Sequence, residues 1–194
     1  MNEILVYIFD TNKTNETELL NLASLTNDDL KTVEKYKDET QRKEKIVSMY
    51  LKRRFVGDFY LSENEKPLAK SQYFNVSHSH GLVAIALSKT SDVGIDLELV
   101  RPVKESLKEF VCSPKEAEFA KDNKDFYKVW TAKEALTKCI GTGVSIIKKI
   151  PALPVNGMKE FEGNRYYSKC IEYFNYIINV TSKEEFSLKI GNLN

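Results

Sequence analysis

The sequence is poor in the features that mark secreted, disulfide-bonded or membrane-spanning proteins. Its 194 residues contain only three cysteines, Cys112, Cys139 and Cys170, which are widely spaced and form no Cys-x-x-Cys pair. A scattered, odd-numbered set is typical of free thiols in a reducing compartment. No apolar run approaches the roughly 20 residues that span a bilayer, and the first residues lack the basic segment and cleavage site of a signal peptide. We therefore expect a cytoplasmic protein without a membrane partner.

The chain also lacks a strong charge of either sign. Its net charge is about +1, from 29 basic and 28 acidic residues. Because this charge gives no overall attraction to a polyanion, we expect no nucleic-acid partner. Hydrophobic residues make up 42% and charged residues 29% of the chain, which indicates a folded globular protein with one core or two small halves that share one.

Strands and helices are predicted in separate blocks along the chain. The pattern predicts a strand at 3–9, helices at 16–24, 27–37 and 39–56, strands at 73–76, 82–88 and 93–100, helices at about 104–110, 114–121 and 124–140, and strands at 158–162, 165–173, 175–181 and 185–190. The short link between the strands at 82–88 and 93–100 predicts a hairpin, and the last four strands predict a closing meander. Because the two kinds of element are segregated, the predicted fold class is α+β. We divide the chain into an N-terminal half, 1–92, and a C-terminal half, 93–194.

Two carboxylates lie on one face of the predicted strand VGIDLEL. Asp96 and Glu98 are separated by two steps of roughly 3.3 Å, or about 7 Å at the backbone. Like charges this close repel, so either water screens them on an exposed edge strand or a cation lies between them. Mg²⁺ is a cation that binds one or two carboxylates together with substrate phosphates.

The helix VWTAKEALTK places Trp130, the only tryptophan, on the same side as Glu134 and Lys138. An exposed Glu–Lys pair one turn apart contributes only about 0.2–0.5 kcal/mol, but a fully exposed tryptophan fits that interpretation poorly. We predict that the helix is contacted on both sides and that Glu134, Lys138 and the neighbouring Lys133 are partly desolvated. A carboxylate between two ammonium groups suits a site that handles phosphate and metal together.

Both histidines, His78 and His80, lie in the stretch FNVSHSHGLV. Zinc is a weak interpretation because no cysteine or third histidine lies nearby. Hydroxyl, imidazole and backbone N–H donors in one turn favour a phosphate cradle, although a plain polar turn has the same composition.

In order, the chain reads KP, NVSHS, GIDLE, SPKE and WTAKEALTKCIGTG. This succession resembles the Sfp-type 4'-phosphopantetheinyl transferases, whose hallmarks are a (G)KP loop, (F)N-[IV]-S-H-S, (V)GID-[IL]-E, a downstream Glu and W-x-x-K-E-[AS]-x-x-K-x-x-G-x-G. The resemblance covers about residues 66–143. Two positions depart from it: Glu65 replaces the glycine before KP, and His80, followed by Gly81, replaces the glycine after SHS.

The resemblance implies transfer of the 4'-phosphopantetheine group from coenzyme A to a serine hydroxyl of an acyl or peptidyl carrier protein of fatty acid, polyketide or nonribosomal peptide biosynthesis. Mg²⁺ would be the cofactor and adenosine 3',5'-bisphosphate the second product. It also implies a pseudo-dimer of two similar α+β halves with the site in the cleft between them, and we expect a monomer. Two alternatives stay open: a module that binds coenzyme A or a carrier protein without catalysis, and a metal-dependent phosphohydrolase that cleaves coenzyme A with water.

The resemblance also assigns roles to individual residues. The implied Mg²⁺ ligands are three carboxylates: Asp96, Glu98 and Glu134. The implied coenzyme A contacts are Lys133 and Lys138 at the phosphates, Ser77 and His78 at the 3'-phosphate and pyrophosphate, and Lys66 and Pro67 near the adenine. Lys138 would also help the leaving group to depart.

Two implied roles have more than one candidate. Arg42 is assigned to the 3'-phosphate, with Lys43 and Lys45 as alternatives on the same helix. Glu134 and Glu116 are the candidates to accept the serine proton, directly or through a metal-bound water, because a serine hydroxyl is a poor nucleophile at neutral pH. Glu116 could instead belong to the metal site.

Overall fold

The structure, a computed structural model, describes residues 2–62 and 66–194. Within these residues it contains ten strands and six helices, in the order β1 (Asn2–Asp10), α1 (Glu16–Ala23), α2 (Asn27–Val33), α3 (Glu39–Phe55), β2 (Tyr60–Leu61), β3 (Pro67–Leu68), β4 (Tyr73–Ser79), β5 (Leu82–Ser88), β6 (Val93–Leu99), α4 (Glu105–Val111), α5 (Pro114–Phe119), α6 (Asn123–Ile140), β7 (Gly157–Phe161), β8 (Asn164–Tyr173), β9 (Tyr176–Ser182) and β10 (Phe186–Asn192). Short 3-10 turns lie at Thr11–Lys13 and Val144–Lys149. Across the described residues, every helix is too short or too polar to cross a membrane.

Two four-stranded sheets form the frame, one in the order β10-β1-β5-β4 and the other in the order β6-β9-β8-β7, and β2 and β3 form a small ladder. Buried side chains of β1, β5 and β10 share one core cluster with those of β6 and β9, so the two sheets pack against each other. Apolar residues of α1, α2 and α3 pack on the other side of the first sheet, and those of α5 and α6 on the second. The predicted α+β class is confirmed.

Two strand pairings differ from the prediction. β5 and β6 lie in different sheets, and the hairpin is instead formed by β4 and β5 around His80 and Gly81, both in left-handed backbone conformation. The last strand leaves the predicted meander and pairs in parallel with β1. Period-two alternation predicts strands but not their partners, which depend on which apolar face completes a core. The division into halves at residues 92 and 93 stays a prediction. β10 belongs to the predicted C-terminal half but lies in the first sheet, with strands of the N-terminal half.

Side chains of β4 bind the backbone of β6 where the two sheets meet. The Asn75 Oδ1 atom accepts the Ile95 N–H at 3.1 Å, and the Ser77 hydroxyl oxygen accepts the Leu97 N–H at 3.3 Å. The polar residues of the FNVS stretch therefore satisfy backbone donors of β6 that have no strand partner on that side. These bonds bring Ser77 and His78 next to Asp96.

Helix α6 is well delimited and mostly buried. Its N-cap Asp122 accepts the Asp125 N–H, and Gly141 ends it in the left-handed conformation with φ of 88°. Trp130 is half-buried and stacks on Phe126 with 6.5 Å between ring centroids. Lys133 and Glu134 are buried as well, which confirms the prediction that both sides of this helix are contacted.

Candidate active site

A cavity of about 270 Å³ lies between β4, β6 and α6. Eight residues line it: Val76, Ser77, His78, Asp96, Glu98, Trp130, Glu134 and Lys138. Asp96 and Glu98 alternate along β6 and thus share a face, while Glu134 and Lys138 lie one turn apart on α6. The fold therefore brings the three predicted metal ligands, Lys138, Ser77 and His78 to one place.

Asp96 is the most engaged of the three carboxylates. Its Oδ1 atom accepts hydrogen bonds from the Lys138 ammonium at 2.6 Å and the Ser77 hydroxyl at 2.9 Å. The ammonium also donates to the Ser77 oxygen at 3.1 Å. Asp96 is only 4% exposed, so the interpretation of a solvent-exposed strand face is wrong for this residue. Glu98 accepts a hydrogen bond from the Ser79 hydroxyl at 2.6 Å.

Two carboxylate oxygens in this region are buried without a hydrogen-bond partner among the described residues. They are Oδ2 of Asp96 and Oε1 of Glu134. Burial, followed by repulsion from Asp96, raises the pKa of Glu134 to about 7, against the attraction of Lys138. Burial also raises the pKa of Glu98, and Asp96 adds to that rise. The site thus concentrates negative charge that a bound cation would stabilise.

The donor chemistry of the site fits a hard divalent cation. In the described part of the chain no three His, Cys, Asp or Glu side chains form a ready-made metal-binding group, and the Lys138 ammonium lies against Asp96. A cation that displaced this ammonium would meet carboxylate oxygens, which Mg²⁺ prefers, and two of them are already buried and unpartnered. Metal binding by Asp96, Glu98 and Glu134 stays a prediction.

A larger groove of about 780 Å³ adjoins the cavity through His78 and Glu98. Its lining includes two cationic side chains, Lys45 of α3 and Arg101 after β6. His80 also lines this groove, as do Thr40 and Gln41 of α3, and the His80 Nδ1 atom lies 2.9 Å from the Ser79 hydroxyl. The groove offers positive charge and imidazole groups beside the acidic cavity.

Glu44 is a site residue that the sequence reasoning missed. It is 4% exposed, lies 2.9 Å from His78 Nδ1 through Oε2, and accepts the Gly81 N–H at 2.7 Å. It thereby orients the imidazole of His78 and holds the turn of the β4–β5 hairpin. The signal was available, because Glu44 falls on the stripe of α3 that also carries the buried Val47 and Leu51.

The structure does not place Lys133 or Glu116 at the cavity. The Lys133 ammonium is fully buried and contacts Glu116 Oε2 at 2.8 Å and the carbonyl oxygens of Val111 and Ile147 at 2.8 and 3.2 Å. Glu116 also accepts the backbone N–H groups of Ser113 and Ala152. Burial alone would raise the pKa of Glu116, but these hydrogen bonds outweigh it and hold the pKa below the ordinary value of 4.5. Both side chains are occupied by these hydrogen bonds, and neither lines the cavity.

Arg42 is also occupied elsewhere. Its Nε atom donates to both carboxylate oxygens of Glu16 at 3.1 Å, and Nη1 donates to the Lys37 carbonyl at 2.9 Å. Arg42 lies outside the lining of the groove, whereas Lys45 is part of it. Of the three basic candidates on α3, the geometry therefore favours Lys45.

Lys66 and Pro67 line a separate pocket of about 410 Å³. The Lys66 ammonium pairs with Asp92 at 2.5 Å and donates to the Cys139 carbonyl oxygen at 2.7 Å, near the end of α6. The KP loop is thereby tied to α6 instead of reaching the carboxylates. Glu65, where the loop departs from the family pattern, lies outside the described residues.

Comparison with known proteins identifies a segment that carries five of the eight residues lining the cavity. Residues 92–174 match the family model of the 4'-phosphopantetheinyl transferase superfamily. The 4'-phosphopantetheinyl transferase HetI of Nostoc sp. (strain PCC 7120) is 38% identical over 85 residues, which are 40% of this chain and 36% of HetI. A protein of Synechocystis sp. (strain PCC 6803), named as a candidate 4'-phosphopantetheinyl transferase, is 38% identical over 84 residues, which are 39% of this chain and 34% of the Synechocystis protein.

The matches thus span only about a third of the length of these curated relatives. Even so, the segment 92–174 contains β6 and α6 whole, and with them Asp96, Glu98, Glu134 and Lys138. The resemblance read from the sequence motifs is thus confirmed for this segment, which is similar to the 4'-phosphopantetheinyl transferase superfamily.

Proposed function

We propose that the chain is an Sfp-type 4'-phosphopantetheinyl transferase. It transfers the 4'-phosphopantetheine group of coenzyme A to a serine hydroxyl of an acyl or peptidyl carrier protein and releases adenosine 3',5'-bisphosphate. One observation carries the proposal: the four charged side chains Asp96, Glu98, Glu134 and Lys138 line one cavity and all lie in the segment that matches the superfamily. The site would lie in the cleft where the two α+β halves of a pseudo-dimer meet.

Asp96, Glu98 and Glu134 would hold Mg²⁺. The proposal is supported by the buried, unpartnered oxygens of Asp96 and Glu134 and by the raised pKa of Glu134, which burial and Asp96 cause. When bound, Mg²⁺ would neutralise the pyrophosphate of coenzyme A and the charge that develops on the leaving group.

Lys138 is the residue that would stabilise the leaving group. Its side chain is 29% exposed and its ammonium is held by Asp96 and Ser77, so the group is both oriented and accessible. As the P–O bond to adenosine 3',5'-bisphosphate breaks, an N–H of Lys138 would donate to the departing oxygen. Lys133 cannot share this role from its buried position beside Glu116.

The serine proton must be accepted as the serine oxygen bonds to phosphorus. Glu134 and Glu116 are the two candidates, and only Glu134 lines the cavity. Its Oε1 atom has no partner among the described residues, whereas Glu116 accepts three hydrogen bonds. We therefore assign proton acceptance to the Glu134 carboxylate and a structural role to Glu116.

Coenzyme A would use the groove beside the cavity. The 3'-phosphate would lie near His78 and Lys45, which both line that groove, instead of at Arg42. His78 also lines the cavity, so this one side chain can contact coenzyme A between its 3'-phosphate and its pyrophosphate. Pro67 and Lys66 would approach the adenine end only if the KP loop moved away from Asp92.

The carrier protein would approach near Arg101, which borders the large groove and a second one of about 390 Å³. This second groove is also lined by Lys104 and by the exposed apolar side chains of Leu107 and Phe110. An acidic carrier with an apolar contact would match that surface.

Incubation with coenzyme A, Mg²⁺ and a panel of apo-carrier proteins tests the proposal, with mass spectrometry of the carrier and an assay for remaining coenzyme A. A transferase adds one phosphopantetheine group to the carrier, and EDTA prevents it. Loss of coenzyme A without any carrier would instead identify a phosphohydrolase. Binding of coenzyme A or carrier with neither product would identify a module without catalysis.

A further inference from the structure

Asn179 of β9 carries a side-chain amide that is buried behind the acidic cavity. The residue is 0% exposed, and neither its Oδ1 nor its Nδ2 atom has a hydrogen-bond partner among the residues that the structure describes. A buried amide is normally hydrogen-bonded, because removal from water otherwise costs free energy. The position of Asn179 indicates which group it serves.

The register of the second sheet places Asn179 directly opposite Asp96. β6 and β9 are antiparallel, and Asp96 pairs with Asn179. Side chains of directly opposed residues project to the same face, with Cβ atoms about 4.5–5.5 Å apart. That face lies beneath α6, because Gly94, two residues before Asp96 on the same strand, packs directly against Ala135.

The Asp96 carboxylate has one held oxygen and one free oxygen. Lys138 and Ser77 donate to Oδ1, whereas the buried Oδ2 has no partner in the described parts of the chain. An unpartnered amide and an unpartnered carboxylate oxygen therefore share one face of one strand pair. A single water molecule between them would give a partner to the Asn179 Nδ2 atom and to the Asp96 Oδ2 atom, since an internal water requires two to four polar partners.

We propose that Asn179 is a positioning residue for Asp96, acting through one buried water that accepts from Nδ2 and donates to Asp96 Oδ2. This bridge fixes the rotation of the carboxylate, so that the second lone pair of Oδ2 stays directed at the cation. Carboxylates that bind metals are commonly held in this way by a second hydrogen-bonding group. The inference rests on the proposed function only in taking Asp96 as a ligand of the cation.

Thr181 provides a matched control on the same strand. It lies two residues beyond Asn179, on the same face, and is 0% exposed. Its hydroxyl lies 2.8 Å from that of Ser168, and its register partner is Gly94 instead of Asp96. Thr181→Val thus removes a buried polar group from β9 without touching the carboxylate.

Titration with free Mn²⁺, followed by electron paramagnetic resonance in the absence of coenzyme A, tests the role apart from catalysis. We expect Asn179→Ala to weaken Mn²⁺ binding by about tenfold. Thr181→Val should bind Mn²⁺ like the wild type, although both variants should have a lower melting temperature than the wild type. Asn179→Ser, which keeps a hydroxyl that can hold the water, should recover part of the affinity and serves as the test variant if Asn179→Ala does not fold.

Unchanged Mn²⁺ affinity in Asn179→Ala, or an equal loss in Thr181→Val, would overturn the positioning role while leaving the metal site in place. A different result identifies failure of the metal assignment itself. If the wild type binds no Mn²⁺, or Asp96→Ala binds it as tightly as the wild type, the proposed site is wrong and the role of Asn179 falls with it.

Discussion

Gly94 on β6 lies so close to Ala135 on α6 that a Cβ atom at Gly94 would stand 2.0 Å from the Ala135 carbonyl oxygen. The same atom would stand 2.5 Å from the Cys139 backbone nitrogen. The absence of a side chain at Gly94 thus sets the separation of β6 and α6. Because Asp96 and Glu98 follow on the strand, and Glu134 lies on the helix one residue before Ala135, this contact also sets the dimensions of the cavity.

Gly94→Ala should destabilise the protein strongly. The added methyl group meets backbone atoms, which cannot rotate away, so we expect a loss of about 3 kcal/mol in the free energy of unfolding, the upper end of the usual cost of overpacking. Gly163→Ala is the control: Gly163 has φ of 74° and open space around it, so strain alone should cost about 1–2 kcal/mol. Urea unfolding of both variants measures the difference. Equal losses would show that close packing of β6 on α6 is not required.

The buried pair of Lys133 and Glu116 should behave as a unit. Lys133→Met leaves the Glu116 carboxylate buried without its cation, which should cost about 3–5 kcal/mol. In the double variant Lys133→Met/Glu116→Gln no buried charge remains, so the loss should be smaller than in Lys133→Met alone. Chemical denaturation of the two single variants and the double variant gives the coupling free energy between the two side chains. Additive losses would mean that the two groups do not interact.

The same pair should contribute to acid sensitivity. The pKa of Glu116 is held below 4.5 in the folded protein by hydrogen bonds from Lys133 and two backbone N–H groups, against the effect of burial. A lowered pKa contributes stability above the unfolded value, and this stability is lost as the pH falls through the folded value. Between about pH 6 and pH 3 the wild type should therefore lose more stability than the double variant. Parallel curves over this range would contradict the assignment.

Glu134→Gln should stabilise the metal-free protein at alkaline pH. Burial and Asp96 raise the pKa of Glu134 to about 7, with Glu98 adding to the rise and Lys138 opposing it. A raised carboxylate pKa gives stability that is present below the unfolded value and lost as the pH rises through the folded value.

In EDTA, Glu134→Gln should thus gain about 1–3 kcal/mol over the wild type at pH 8, and much less at pH 5. Glu118→Gln, an exposed carboxylate on α5, is the control and should show no such difference. Thermal unfolding at the two pH values measures the stability of each variant relative to the wild type. A gain that is equal at both values would mean that Glu134 is ionised without penalty.

The elements of the site were predictable, because each has a local signal. The bounds of α6 follow from its apolar stripe and Gly141, and Ser113 with Pro114 marks the start of α5. The motif succession placed Asp96 and Glu98 together with Glu134 and Lys138, although they lie on different elements.

What escaped prediction depends on contacts between distant segments. Helical periodicity puts Lys133 at the boundary of the polar face, yet its ammonium is buried because Glu116 and two carbonyl groups from other segments meet it there. Arg42 has the right charge and helix for the 3'-phosphate but is held by Glu16. Partners of this kind are determined by tertiary packing, which a single sequence does not encode locally.

Transfer rates of Asp96→Ala, Glu134→Gln and the double variant, measured by carrier-protein mass spectrometry, test most directly whether these side chains act around one cation. Residues that act as a unit lose activity non-additively, so each single variant should lose nearly all transfer and the double variant should be little worse. Each should remain folded by circular dichroism. Normal turnover by either single variant would contradict the site.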